Sequence, residues 1–119
     1  MLNNAYMELK DLYWIGSSKD DLCGFPEDIQ DVMGYALHLA QNGENHPNAK
    51  SLKGIPVMEV SESHDGDAYR AIYTTKIGGA IYVLHAFQKK SKKGVSTPKP
   101  DIDLIKSRLK DAKAHHKGS

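Results

Sequence analysis

Apolar positions along the chain follow two periods. Between Pro26 and Gly43, Ile29, Val32, Met33, Ala36, Leu37 and Ala40 recur at helical spacing, with Pro26 in the first turn and Glu27, Asp28 and Asp31 near its positive end. After the loop Asn42 to Asn48 the period changes to alternation. Ile55 to Glu62 reads as a strand with Met58 and Val60 on one side. Tyr69 to Thr75 reads as another, with Tyr69, Ala71 and Tyr73 on one face and Arg70, Ile72 and Thr74 on the other; Ala80 to Phe87 reads as a third. Asp65-Gly66 and Gly78-Gly79 supply the tight turns between them. Upstream, Leu9 to Ile15 reads as a first strand, closed by Gly16-Ser17-Ser18 and followed by a short helical turn through Lys19 to Cys23. Downstream, Pro98 and Pro100 bar helix immediately before them, while Asp101, Asp103 and the spacing of Ile102, Ile105 and Leu109 mark an amphipathic last helix.

The order strand, helices, three antiparallel strands, helix predicts an α+β domain. Its antiparallel sheet of about four strands packs one face on the N-terminal helices, and the other face can stay open. The 119 residues suit a single domain, 1–119, with 1–7 and 114–119 frayed. Cys23 is the sole cysteine, so an intramolecular disulfide is excluded. No 18-residue apolar run is present, and the expectation is a soluble, cytoplasmic protein with no membrane partner.

Charge changes the picture more than composition does. The chain carries a formal net charge of +1, yet residues 87–119 hold ten basic and three acidic residues, while residues 1–86 hold six basic and twelve acidic. Lys89, Lys90, Lys92 and Lys93 crowd into five positions directly after the last strand. So placed, they form a positive surface suited to phosphate, of which nucleic acid is the commonest source. Arg70 stands mid-strand, where a fixed guanidinium fork can hold a phosphate through two parallel hydrogen bonds. Its structural alternative is a cross-strand ion pair with Glu59 or Glu62. His85 lies in the strand leading to the lysines, with the ordinary pKa of an acid–base group or the role of a buried structural histidine. No histidine pair has metal-ligand spacing, and Asp65-Gly66-Asp67 is too short for a calcium loop; no metal or cofactor is expected.

Five phrases occur in order: Tyr13-Trp14-Ile15-Gly16-Ser17-Ser18, Gly34-Tyr35-Ala36-Leu37, Ala49-Lys50-Ser51-Leu52-Lys53-Gly54, Asp67-Ala68-Tyr69-Arg70-Ala71-Ile72-Tyr73, and Tyr82-Val83-Leu84-His85-Ala86-Phe87-Gln88-Lys89-Lys90-Ser91. Together, from about Tyr13 to Leu109, they resemble the phage-derived Gp49-like, HigB-type toxins of the RelE/ParE superfamily. The resemblance implies the toxin of a type II toxin–antitoxin pair, a ribosome-dependent mRNA interferase. Its implied partners are mRNA, the ribosome and a HigA-like helix-turn-helix antitoxin that joins it on operator DNA. It also implies roles: Arg70, by its Tyr-Arg context, as a catalytic arginine, and Lys89 or Lys90 as the catalytic basic residue after the last strand. Lys50 and Lys53 fall where relatives contact RNA, with Lys92 and Lys93 gripping the backbone. The chain departs from the RelE pattern at Met58-Glu59-Val60, where RelE carries lysines, so Glu59 is either the general base or a surface acid paired with Arg70. It departs again at Val95-Ser96-Thr97, where some relatives have a base-stacking tyrosine; Tyr73 and Tyr82 are either substitutes for it or, as such residues more often are, part of the core. The ParE branch shares the fold and targets DNA gyrase, so a non-nuclease inhibitor is the alternative, beside an inactive phage-derived nucleic-acid-binding protein.

Overall fold

The longest apolar stripe of helical period forms α2 (Glu27–Gln41), which buries Ile29, Met33, Ala36, Leu37 and Ala40. Pro26 is its N-cap, one position earlier than the spacing predicts, and its carbonyl accepts from the amides of Ile29 and Gln30. The Gln30 side-chain Nε2 donates to the carbonyls of Cys23 and Phe25. It thereby satisfies acceptors at the end of the preceding helix, α1 (Ser18–Cys23).

The computed structural model describes residues 9–89 and 96–118. Around the two helices stand β1 (Leu12–Trp14), β2 (Ala49–Ser51), β3 (Met58–His64), β4 (Asp67–Ile77) and β5 (Ala80–Lys89), and α3 (Lys99–Gly118) closes the chain. The strands form one sheet in the order β1-β5-β4-β3-β2, with β1 parallel to β5 and every other pair antiparallel. The expected antiparallel sheet of about four strands is therefore corrected to a mixed sheet of five. The first strand crosses to the far edge beside β5, a pairing that local pattern does not encode, and three residues of the Ala49-Lys50-Ser51 phrase form an edge strand on β3.

Both hairpin turns use left-handed backbone. Asp65 and Gly66 have φ of 51° and 84°, and Gly78 and Gly79 have 60° and 73°, the sign that matches the twist of the flanking strands.

Alternation then splits the apolar residues into two cores. Tyr69, Ala71, Tyr73, Val60, Ile81, Val83 and Ala86 meet α1 and α2 on one face. Ile72, Tyr82 and Leu84 meet Ile105, Leu109 and Ala112 of α3 on the other. The second face is thus covered and not open, because α3 lays its apolar stripe along it. α3 runs through Gly118, past Ala114, where fraying was expected. His115 there meets the Tyr82 hydroxyl at 2.8 Å. The expectation for residues 1–7 lies outside the described residues.

Candidate functional site

Register places the chemistry. Residues paired across neighbouring strands share a face, and the pairs Lys50↔Glu59, Glu59↔Ile72 and Ile72↔His85 make one row on the α3 side. Ser61↔Arg70 and Arg70↔Phe87 make the next, and Ala68↔Lys89 the one after. Arg70, His85 and Lys89 therefore occupy the same face, with Ser61 and Phe87 on either side of the arginine.

Arg70 is held from two directions. Its Nη1 donates to Glu59 Oε2 at 3.3 Å and to Thr97 Oγ1 at 3.2 Å, and the Thr97 hydroxyl donates to the same Glu59 oxygen at 2.8 Å. The Arg70 side chain is 13% exposed and that of Glu59 only 3%. Glu59 is thus a buried acid, which corrects the expectation of a surface acid, although its pairing with Arg70 is as read. A carboxylate this deep is tolerable only when paired and hydrogen-bonded, and Arg70 with Thr97 meets that need.

Thr97 follows the lysine-rich segment, so the far end of that segment is fastened to the Arg70 pair. The near end is fastened too: Lys89 Nζ donates to the Ser96 carbonyl at 2.6 Å. Desolvation and the Arg70 guanidinium lower the pKa of Lys89, with Glu59 and Asp101 opposing. The ammonium accordingly sits within the electrostatic reach of Arg70. Lys90, Lys92 and Lys93 lie outside the described residues; what is seen is that both flanks of their segment are anchored at the candidate site.

His85 reaches this face through an irregularity. Ile72 pairs with His85 but Tyr73 pairs with Val83, so Leu84 is an extra residue in β5. Strict alternation would put His85 on the side of Val83; the bulge turns it to the α3 side instead. The Leu84 carbonyl accepts from Arg108 Nη1 at 3.0 Å. His85 Nε2 lies 2.7 Å from Asp101 Oδ1, and the imidazole stacks on Phe87 with centroids 4.6 Å apart and planes 21° apart. The residue is 6% exposed. Its Nδ1 is buried without a hydrogen-bond partner among the described residues.

Of the other expected contact residues, Lys50 is exposed on β2, two strands from Arg70 and on its side of the sheet, while Lys53 is exposed in the following turn. Neither has an ion pair among the described residues. Tyr73 and Tyr82 are 0% and 1% exposed. Burial raises both hydroxyl pKa values. They are core residues and present no ring for stacking. Thr97 and Asp101 are the members that sequence reasoning missed. Asp101 carried only the signal of a helix N-terminus, and Thr97 carried none, because its partner is 38 positions away.

Among the described residues, no three His, Cys, Asp or Glu side chains are grouped to hold a metal ion, and no helix is long and apolar enough to cross a membrane. No curated protein gives a significant match to the chain. A family model described as phage derived protein Gp49-like (DUF891) matches residues 20–110, a span that contains Glu59, Arg70, His85, Lys89, Thr97 and Asp101. With most of its length covered by that match, the chain belongs to the phage-derived Gp49-like family.

Proposed function

We propose that the chain is the toxin of a type II toxin–antitoxin pair and cleaves mRNA in the ribosome by attack of the ribose 2′-OH on the adjacent phosphate. The observation that carries this reading is the Arg70 guanidinium, fixed by Glu59 and Thr97 at the root of the lysine-rich segment with Lys89 beside it. In the reaction the 2′-oxygen bonds to phosphorus, the bond from phosphorus to the 5′-oxygen breaks, and a 2′,3′-cyclic phosphate is left. The 2′ proton goes to a base and the leaving oxygen receives one. Arg70 holds the phosphate and opposes the charge that grows on its oxygens, an effect largest where the donor is already oriented and partly dry. Lys89, with its lowered pKa, is suited to protonate the leaving oxygen, and Lys90 is the alternative after the strand.

Histidine is the commonest general base, and His85 takes the remaining role. Asp101 accepts from its Nε2–H and leaves Nδ1 as the acceptor, the arrangement of a base oriented by a carboxylate. The half-buried Phe87 ring stacks on the imidazole and Nδ1 is buried, so use of this base requires the substrate to reach it past that ring. Lys50, Lys53, Lys92 and Lys93 supply backbone contacts, and a helix-turn-helix antitoxin covers the face and joins it on operator DNA. One observation favours a rival: Glu59 already balances the charge of Arg70, which suits a non-nuclease toxin of the same fold, acting on gyrase, or an inactive nucleic-acid-binding protein.

Induction in a bacterial host with mapping of mRNA ends separates these. The wild type is expected to arrest growth and create new mRNA ends, and Arg70→Ala to lower their yield on the order of 10²- to 10³-fold. Arrest with intact mRNA and gyrase-linked DNA breaks would establish the rival.

A further inference from the structure

Beyond the Arg70 cluster, the strongest unexplained charge lies on α3. Lys106, Lys110, Lys113 and Lys117 are four, three and four residues apart, and all are exposed. At about 100° and 1.5 Å per residue they fall within an arc of about 60° and span about 16 Å of helix. The opposite flank of α3 is committed to β5 and β1: Asp101 meets His85, Arg108 meets the Leu84 carbonyl, and His115 meets Tyr82 and Tyr13. The lysine flank turns instead toward β4, where Lys76, Ile77 and Gly78 join Lys113, His116 and Lys117 around an open cavity of about 340 Å³. Gly78 permits this closure, because a Cβ there would collide with the His116 ring.

Two ordinary explanations fall short. Cations favour a helix C-terminus, but that effect fades within the last turn, which holds His115, His116 and Lys117 and not Lys106 or Lys110. Pairing does not neutralise the line either. Among the described residues none of Lys76, Lys106, Lys110, Lys113 and Lys117 has an ion pair, whereas Lys99, two turns earlier, is paired with Asp103 at 2.9 Å. Asp111 lies about 130° round the helix from the centre of the line.

A row of uncompensated, evenly spaced ammonium groups suits a ligand that repeats negative charge without base-specific features, which is a sugar–phosphate backbone. α3 begins beside the Arg70 cluster, through Asp101 on His85, and ends at the β4–β5 hairpin. Along the helix axis the line therefore runs from the hairpin cavity toward the end of α3 that meets that cluster, on the neighbouring flank. We propose that this flank of α3, with Lys76, binds the phosphodiester backbone of RNA and holds a strand that extends beyond the Arg70 site. The choice of RNA as the polyanion rests on the function proposed above; the surface itself does not.

The test reads binding and not cleavage. A fluorescent oligouridylate is titrated with the Arg70→Ala chain across a range of salt concentrations. Changing Lys106, Lys110, Lys113 and Lys117 together to Gln is expected to weaken binding at least tenfold at about 100 mM salt. It should also flatten the slope of log affinity against log salt by about 2 to 3, the share of three to four single-strand phosphate contacts. The same four changed to Arg should restore both, and Lys19→Gln on α1 should alter neither. If the fourfold variant fails to melt cooperatively, Lys106→Gln with Lys110→Gln is read instead, with a slope change of about 1.4 expected. An unchanged slope in a folded glutamine variant, or equal loss in the arginine variant, overturns the proposal. A chain that binds through the line yet never cuts RNA refutes the nuclease reading alone, and a chain that cuts RNA with an unchanged slope refutes the line alone.

Discussion

The two faces of the sheet are built by the same strands and do different work. β4 sends Tyr69, Ala71 and Tyr73 to the side of α1 and α2, where they join an apolar core. It sends Ile72 to α3 and, two residues earlier, Arg70 to Glu59 and Thr97. On the α3 side, hydrophobic packing thus gives way to a buried ionic group within one step of the alternation. A strand anchored by one face can hold charge on the other without losing its place, which is the rigidity a phosphate site needs.

The largest stability effect is expected where that division is most expensive. Glu59→Ala removes the buried partner of Arg70 and should cost about 3–5 kcal/mol, the usual penalty for stranding a buried charge. A urea midpoint measures it; a loss below about 1 kcal/mol would mean that the α3 face is far wetter at Glu59 than described. Met33→Ala, in the fully buried α2 core, should cost about 2–5 kcal/mol and leave RNA cleavage intact at temperatures where the chain stays folded. Cleavage lost in a Met33→Ala chain that is still folded would erase the functional difference between the faces.

Thr97→Val keeps the shape of the residue and deletes the hydroxyl shared by Arg70 and Glu59. It should cost about 1–3 kcal/mol of stability, from an acceptor left short of a donor. Cleavage should fall more than stability does, measured on the folded protein, because the orientation of the guanidinium is loosened. The smallest effect concerns Lys89. Arg70 is one of the causes lowering its pKa, so Arg70→Gln should move that pKa back toward the ordinary lysine value. The readout is the pH dependence of amine acylation at Lys89. At a pH between the two values the wild-type amine should react faster, because more of it is deprotonated; identical profiles would separate Lys89 from Arg70.

Local pattern made α2, the two hairpins and the Arg70 face legible, since each depends on neighbours within a few residues. Pairing of Arg70 with Glu59 was legible too, because both stand in strands joined by one tight turn. The parallel seat of β1 was not, nor was β2: both are three residues long and owe their place to distant partners. His85 was assigned to the right strand, but the extra residue at Leu84 decides its face, and alternation has no signal for it. Thr97 and Asp101 enter only because the chain returns over the sheet after the lysine segment.

The central claim is that Arg70, oriented by Glu59 and Thr97, holds a phosphate for RNA cleavage. Its most direct test is to incubate the purified chain with translating ribosomes and analyse the chemistry of the mRNA ends. New 2′,3′-cyclic phosphate ends are expected with the wild type and not with a folded Arg70→Ala chain. Cleavage that persists in Arg70→Ala, or a wild type that leaves mRNA whole, would contradict it.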